Sequence, residues 1–181
     1  MTKEKLRIDA LHERHTGLTP SLSGSFFEAA SVCLNRHHAT PVEVEILRGE
    51  TRVVREVDFQ APDDRMRNAW ANDIDTTEAG AYGVSLAAVE AEESLVAVRR
   101  AETLTGADWY VAPVGVTADD LETCLRLEVS GLDSGNRSAL ETRLAQKIAQ
   151  TKRGKSNLPA IASVVGFEQR AVAIRRVEEK S

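Results

Sequence analysis

The chain has 181 residues, 42% hydrophobic and 28% charged, which allows one domain with a substantial core. Its formal net charge of -5 excludes a basic footprint over the whole surface, so a nucleic-acid role needs a local basic face or a metal ion. Cys33 and Cys124 lie outside any CxxC or Cys/His spacing, which argues against structural zinc and for small buried hydrophobes. No apolar run approaches the ~20 residues that span a bilayer, and no apolar segment follows the first five residues as in a secretory signal. A cytoplasmic location is the resulting expectation.

Residues 1–24 read as a short helix or arm followed by a loop. The spacing of Phe26, Phe27, Ala30, Cys33 and Leu34 predicts a helix over 25–34. His37 and His38 follow it. Adjacent side chains at a helix end point in different directions, so an interaction with the helix dipole is expected before a metal site. Val42, Val44 and Ile46 alternate with Glu43 and Glu45, and a Gly49 turn leads into a return strand, Thr51 to Phe59. That is a β-hairpin, with Glu43, Glu45, Arg52 and Arg55 expected outward and paired across strands.

A short helix is expected from Ala61 to Trp70. Asp75-Thr-Thr-Glu78 has the form of a capping box, opening a helix to Glu90. Its small residues Ala79, Gly80, Ala81 and Gly83 suit close approach to a sheet. Strands are expected over 95–103, 108–112 and 123–129. Ser138-Ala-Leu-Glu141 reads as a second capping box for a helix over 139–152. The apolar run Ala160–Val165 predicts a buried strand. A last strand is expected over 169–177, then a charged tail.

From Thr76 onward the expected order is helix, strand, strand, strand, helix, strand. Asp108 opens one apolar strand, Glu128 is embedded in another, and Lys147 lies on the next helix between Gln146 and Gln150. At these residues the chain resembles the PD-(D/E)XK nuclease superfamily. The resemblance implies an α/β, restriction-endonuclease-like αβββαβ core over 75–181, with a mixed sheet flanked by helices. Residues 1–74 are then an N-terminal helix and hairpin packed on that core, or a homodimer surface. Residue by residue, Glu78 matches the helix acid of the family, Asp108 the strand acid and Glu128 the third-strand acid. Ser130 stands where the family has Lys, and Lys147 is the substitute ammonium. Gln150 and Gln146 are the substrate-orienting candidates. The resemblance further implies Mg²⁺ or Mn²⁺ on Asp108, Glu128 and the Val129 carbonyl, and hydrolysis of nucleic acid, DNA foremost.

Other readings compete. Arg126 lies two residues from Glu128 on the same strand face, so a plain Arg126–Glu128 ion pair is the simplest account of a charge in that strand. Ser130-Gly131 as a nucleophile lacks a nearby base. With Ser130 at the Lys position, the fold without the chemistry would be a binding or adaptor subunit. Small size and acidity also suit an immunity-type protein that neutralises a basic partner. Arg99, Arg100, Arg137, Arg143, Lys147, Lys152, Arg153 and Lys155 lie on or near the candidate elements, a local basic rim on an acidic chain.

Overall fold

Local signals open each main helix, although at positions other than the expected ones. In this computed structural model, which describes residues 2–177, helix α1 spans Pro20–Asn35. Met1 and the tail at 178–181 lie outside the described residues. The Thr19 side chain accepts the Leu22 N–H, and Pro20 occupies the first turn, where its missing N–H costs nothing. The loop expected up to Gly24 is therefore helix from Pro20 on. Strands β1 (Val42–Arg48) and β2 (Thr51–Val57) form the hairpin, and α2 is Asp64–Ala69. Helix α3 spans Asp73–Glu93, and its cap is Asn72, which accepts from Ile74 and Asp75. Asp75 is thus inside the first turn and is not the cap, and Glu78 is released for other contacts. Helix α4 spans Arg137–Arg153, capped by Asn136 on the Ala139 N–H, which displaces the Ser138 box in the same way. At α3 and α4 an Asn side chain two or three residues upstream wins the orphan amides.

The remaining strands are β3 (Val96–Arg100), β4 (Trp109–Ala112), β5 (Leu125–Leu132), β6 (Ala160–Gly166) and β7 (Ala171–Val177). All seven join in one mixed sheet, ordered β2-β1-β7-β6-β5-β4-β3. β1 pairs parallel to β7 and β5 parallel to β6; the other pairs are antiparallel. The protein is therefore mixed α/β with helices on both sheet faces. The hairpin adds its strands to this sheet through β1, and α1 packs on α3, so residues before and after position 74 share one core.

Helix α3 is buried without interruption from Gly80 to Val89 because it lies between α1 and the sheet. Its glycines serve the helix contact. A Cβ on Gly80 would lie 3.1 Å from the Ala30 backbone, and one on Gly83 3.1 Å from Phe26 Cβ. The close approach expected toward the sheet is made instead by Gly131 of β5, whose Cβ would lie 2.8 Å from Thr77 O. On the opposite face α4 lays Leu140, Leu144 and Ile148 over Ala160, Ala162 and Val164. Arg143, Lys147 and Thr151 form the next stripe of that helix.

The hairpin corrects one expectation. Arg52 pairs outward with Glu45, but Arg55 lies opposite Val44 and reaches Glu92 of α3. Residues three apart in a strand face opposite sides, so the two arginines have different partners. His37 contacts Asp133 and the His38 ring bonds to Phe167 O, which ties both rings to the β5–α4 and β6–β7 turns.

The N-terminal arm closes both sheet edges. Leu6 N donates to Glu56 O on β2, and Gly17 N donates to Ala97 O on β3. Buried His15 continues that edge: its Nδ1 accepts the Ala97 N–H at 2.9 Å, so Nε2 carries the hydrogen and donates to Glu90 at 3.0 Å. His15→Ala leaves a buried strand amide and one Glu90 oxygen unpaired, and is expected to cost about 2–3 kcal/mol in urea denaturation. His15→Gln should recover part of it.

Candidate functional site

The site forms where two neighbouring strands part. β4 follows β5 only as far as Trp109–Leu127, with Asp108 N donating to Leu127 O. β5 runs on to Leu132 beside β6. Beyond Leu127 its outer edge would lose its partner, and the Asp108 carboxylate takes that place: Oδ2 accepts the Val129 N–H at 2.8 Å. The Val129 carbonyl shares that open edge, because N–H and C=O of one residue project to the same side of a strand. The Val129 side chain packs toward α3 in the main core.

Alternation along β5 sends Arg126, Glu128 and Ser130, all buried, toward α4. The competing Arg126–Glu128 pair does not form. Arg126 donates to three carbonyls, Leu158 O, Thr105 O and Thr151 O, and so pins the turn before Asp108 to the end of α4. Glu128 Oε1 instead accepts from Lys147 Nζ at 2.9 Å, and Lys147 also reaches Gln150 Oε1 at 3.2 Å. One turn earlier on α4, Arg143 donates to Ser130 Oγ at 2.9 Å. Gln146 is exposed on α4, and Arg137 pairs with Glu45 on β1, so neither joins these rungs.

Helix α3 supplies the other wall. Tyr82 Oη lies 2.9 Å from Glu78 Oε1 and 3.0 Å from Asp108 Oδ1, and accepts from Arg100 at 2.9 Å. The Arg100 guanidinium sits over both the Tyr82 and Trp109 rings, 4.6 and 5.1 Å from their centroids. Its nearest approach to Asp108 is 3.9 Å. Asp108 and Glu78 thus share one network through Tyr82, and Glu128 and Gln150 share a second through Lys147. Tyr82 enters the first without having been singled out, while Arg100 and Arg143, read from the sequence only as part of a basic rim, take particular partners in Tyr82 and Ser130. Their signals are spacing ones: Tyr82 is one turn after Glu78, and Arg143 one turn before Lys147.

Electrostatics mark the pair of acids. Burial pushes the Asp108 carboxyl above its ordinary value, against the pull of the Val129 amide, Tyr82, Arg100 and Lys147. Glu128 is pushed up by burial and then by the Asp108 charge, with Lys147 drawing it down. Two buried carboxylates, both raised by burial and one raised further by the charge of the other, have a use for a cation. The buried Cys33 thiol is pushed up to about 12 by desolvation, which leaves it inert.

The donor set fits a hard divalent ion: two carboxylates and the Val129 carbonyl, all oxygen. Among the described residues no three His, Cys, Asp or Glu side chains converge, so water would fill the other positions. A cavity of about 470 Å³ opens between α3 and α4 at this fork, lined by Glu78, Tyr82, Val129, Ser130, Arg143 and Lys147, with exposed Ile74 on its rim. No helix among the described residues is long and apolar enough to cross a membrane. No protein-family model matches the chain, and no curated protein or solved structure matches it either.

Proposed function

We propose that this chain is a divalent-metal-dependent phosphodiesterase of restriction-endonuclease-like fold acting on nucleic acid, DNA foremost. One observation carries the reading: Asp108 and Glu128 stand beside one another's strands where the β4–β5 ladder ends, with raised affinities for protons, next to Lys147 and an open cleft. The helix-strand-strand-strand-helix-strand order from α3 to β6 agrees with it. Bound Mg²⁺ or Mn²⁺ would lower the pKa of a water and offset charge at the scissile phosphate. Asp108, Glu128 and the Val129 carbonyl would hold that ion. Tyr82 and Arg100 fix the rotamer of Asp108. Lys147 orients Glu128 and carries its ammonium toward the cleft, where it can hold the attacking water.

The test is cleavage of labelled DNA and RNA with Mg²⁺ or Mn²⁺ by wild type, Asp108→Ala and Glu128→Ala. Loss of metal-dependent cleavage in both variants, with the fold retained by circular dichroism, is the expected result. Cleavage surviving both substitutions removes the mechanism.

A second reading has its own support. Ser130 stands at the position where the resemblance expects Lys, and Lys147 is already engaged by Glu128. A nuclease-like fold used as a binding or adaptor subunit, of nucleic acid or of a basic protein partner, accommodates both. Calorimetric titration separates the two readings: a Mn²⁺ site lost in Glu128→Ala favours the enzyme, and no site at all in wild type favours the binding module.

A further inference from the structure

The two cations on the cleft face of α4 are in different states. Lys147 is neutralised by Glu128 at 2.9 Å. Arg143, four residues earlier, meets only the neutral Ser130 hydroxyl and has no carboxylate partner among the described residues. Two acids of the cleft are already engaged: Asp73 and Asp133 are both bridged by Arg36. Glu78 is engaged by Tyr82 on the opposite wall. Arg143 is therefore the cation of the cleft lining that meets no carboxylate among the described residues. Ser130 Oγ, which accepts from Arg143, keeps its own O–H to donate. A guanidinium fork and a hydroxyl on one wall of a half-enclosed cavity are the donor set for a phosphate.

Spacing says which phosphate. Glu128 and Ser130 are two residues apart on β5, roughly 6.6 Å along the strand. Arg143 and Lys147 are one turn apart on α4, roughly 6 Å along its axis. The Arg143–Ser130 and Lys147–Glu128 rungs are thus parallel and separated by a step comparable with that between successive phosphates of a nucleic-acid strand. We propose that Arg143 and Ser130 form a second phosphate site, which holds the phosphate next to the one addressed by Asp108, Glu128 and Lys147. This rests on the phosphodiesterase reading for its place in a reaction, and it narrows the substrate to a strand carrying at least two consecutive phosphates.

Anion binding can be tested without metal. Inorganic phosphate is titrated into the full chain in chelator and low salt, followed by amide NMR shifts. Perturbation of the Ser130, Gly131 and Arg143 signals is expected, weakened at least about tenfold in Arg143→Gln and less in Arg143→Lys, which keeps the charge but loses the fork. Absence of phosphate binding in wild type, or equal binding in a folded Arg143→Gln, overturns the proposal. In oligonucleotide cleavage, Arg143→Gln is expected to raise KM about tenfold or more with a smaller fall in kcat. A loss confined to kcat would assign Arg143 to the reacting phosphate and overturn the second site. Arg143-dependent phosphate binding in a protein that cleaves nothing would keep the anion site and remove the phosphodiesterase reading instead.

Discussion

Lys147→Met is expected to destabilise the metal-free protein by about 3 kcal/mol at pH 8 and far less at pH 4. The Glu128 side chain is 5% exposed and its Lys147 partner 20% exposed, so the pair is shielded from solvent screening. Without the ammonium, a buried carboxylate faces Asp108 with no cation bound to it. Burial already raises both acids in the native state, and Lys147 is among the groups that pull each of them down. A raised native value means that the folded chain binds more protons than the unfolded one. Stability therefore falls as pH rises from about 4, the unfolded carboxylate range, through the native values, and the loss is complete above them. Removing Lys147 raises both values further and extends that window upward. On the proposed metal site Mn²⁺ would compete with protons for the same oxygens, so its stabilising increment should grow with pH. Urea midpoints at pH 4, 6 and 8, with and without Mn²⁺, read all of this. An equal cost at pH 4 and pH 8 would show that Lys147 does not hold the Glu128 charge.

Arg55→Ala should cost about 3 kcal/mol, as large an effect at a place far from the cleft. Glu92 and Glu93 end α3, where the helix dipole disfavours carboxylates, and their side chains are only 8% and 7% exposed. Three arginines from the sheet compensate: Arg55 reaches Glu92 at 2.6 Å, Arg48 reaches Glu93 at 3.0 Å, and Arg176 reaches Glu93 at 2.9 Å. With Arg55 gone, the nearest cation to Glu92 is Arg48, at 4.0 Å. The joint replacement Arg55→Met with Glu92→Leu should recover most of the loss, because an apolar pair of similar volume carries no desolvated charge. A double-mutant cycle checks it, and a coupling below about 0.5 kcal/mol would mean a solvated, dispensable pair.

By itself the sequence determined the elements whose pattern is local. The alternation of Val42, Val44 and Ile46, the apolar run Ala160–Val165, the body of α4 and the small-residue helix α3 follow from period and composition, and each is present. It also exposed the site's acids, because a carboxylate inside an apolar strand demands a partner. It did not decide which residue caps a helix. Thr19, Asn72 and Asn136 sit among several competent Ser, Thr and Asp residues, and the register of the first turn selects one. Nor did it decide partners. Arg126 was as close to Glu128 in sequence as Lys147 was distant, yet the packing of α4 and of the turns at Thr105 and Leu158 gave Arg126 three carbonyls and Glu128 the ammonium. The roles of Tyr82, Arg100 and Arg143 depend on contacts that form only because the β4 ladder ends at Trp109, opposite Leu127, while β5 continues. That stop is a property of the assembled sheet. Local periodicity specifies which face of an element is buried, whereas the end of one strand against another is set by packing among segments far apart in the chain, and the cleft exists only there.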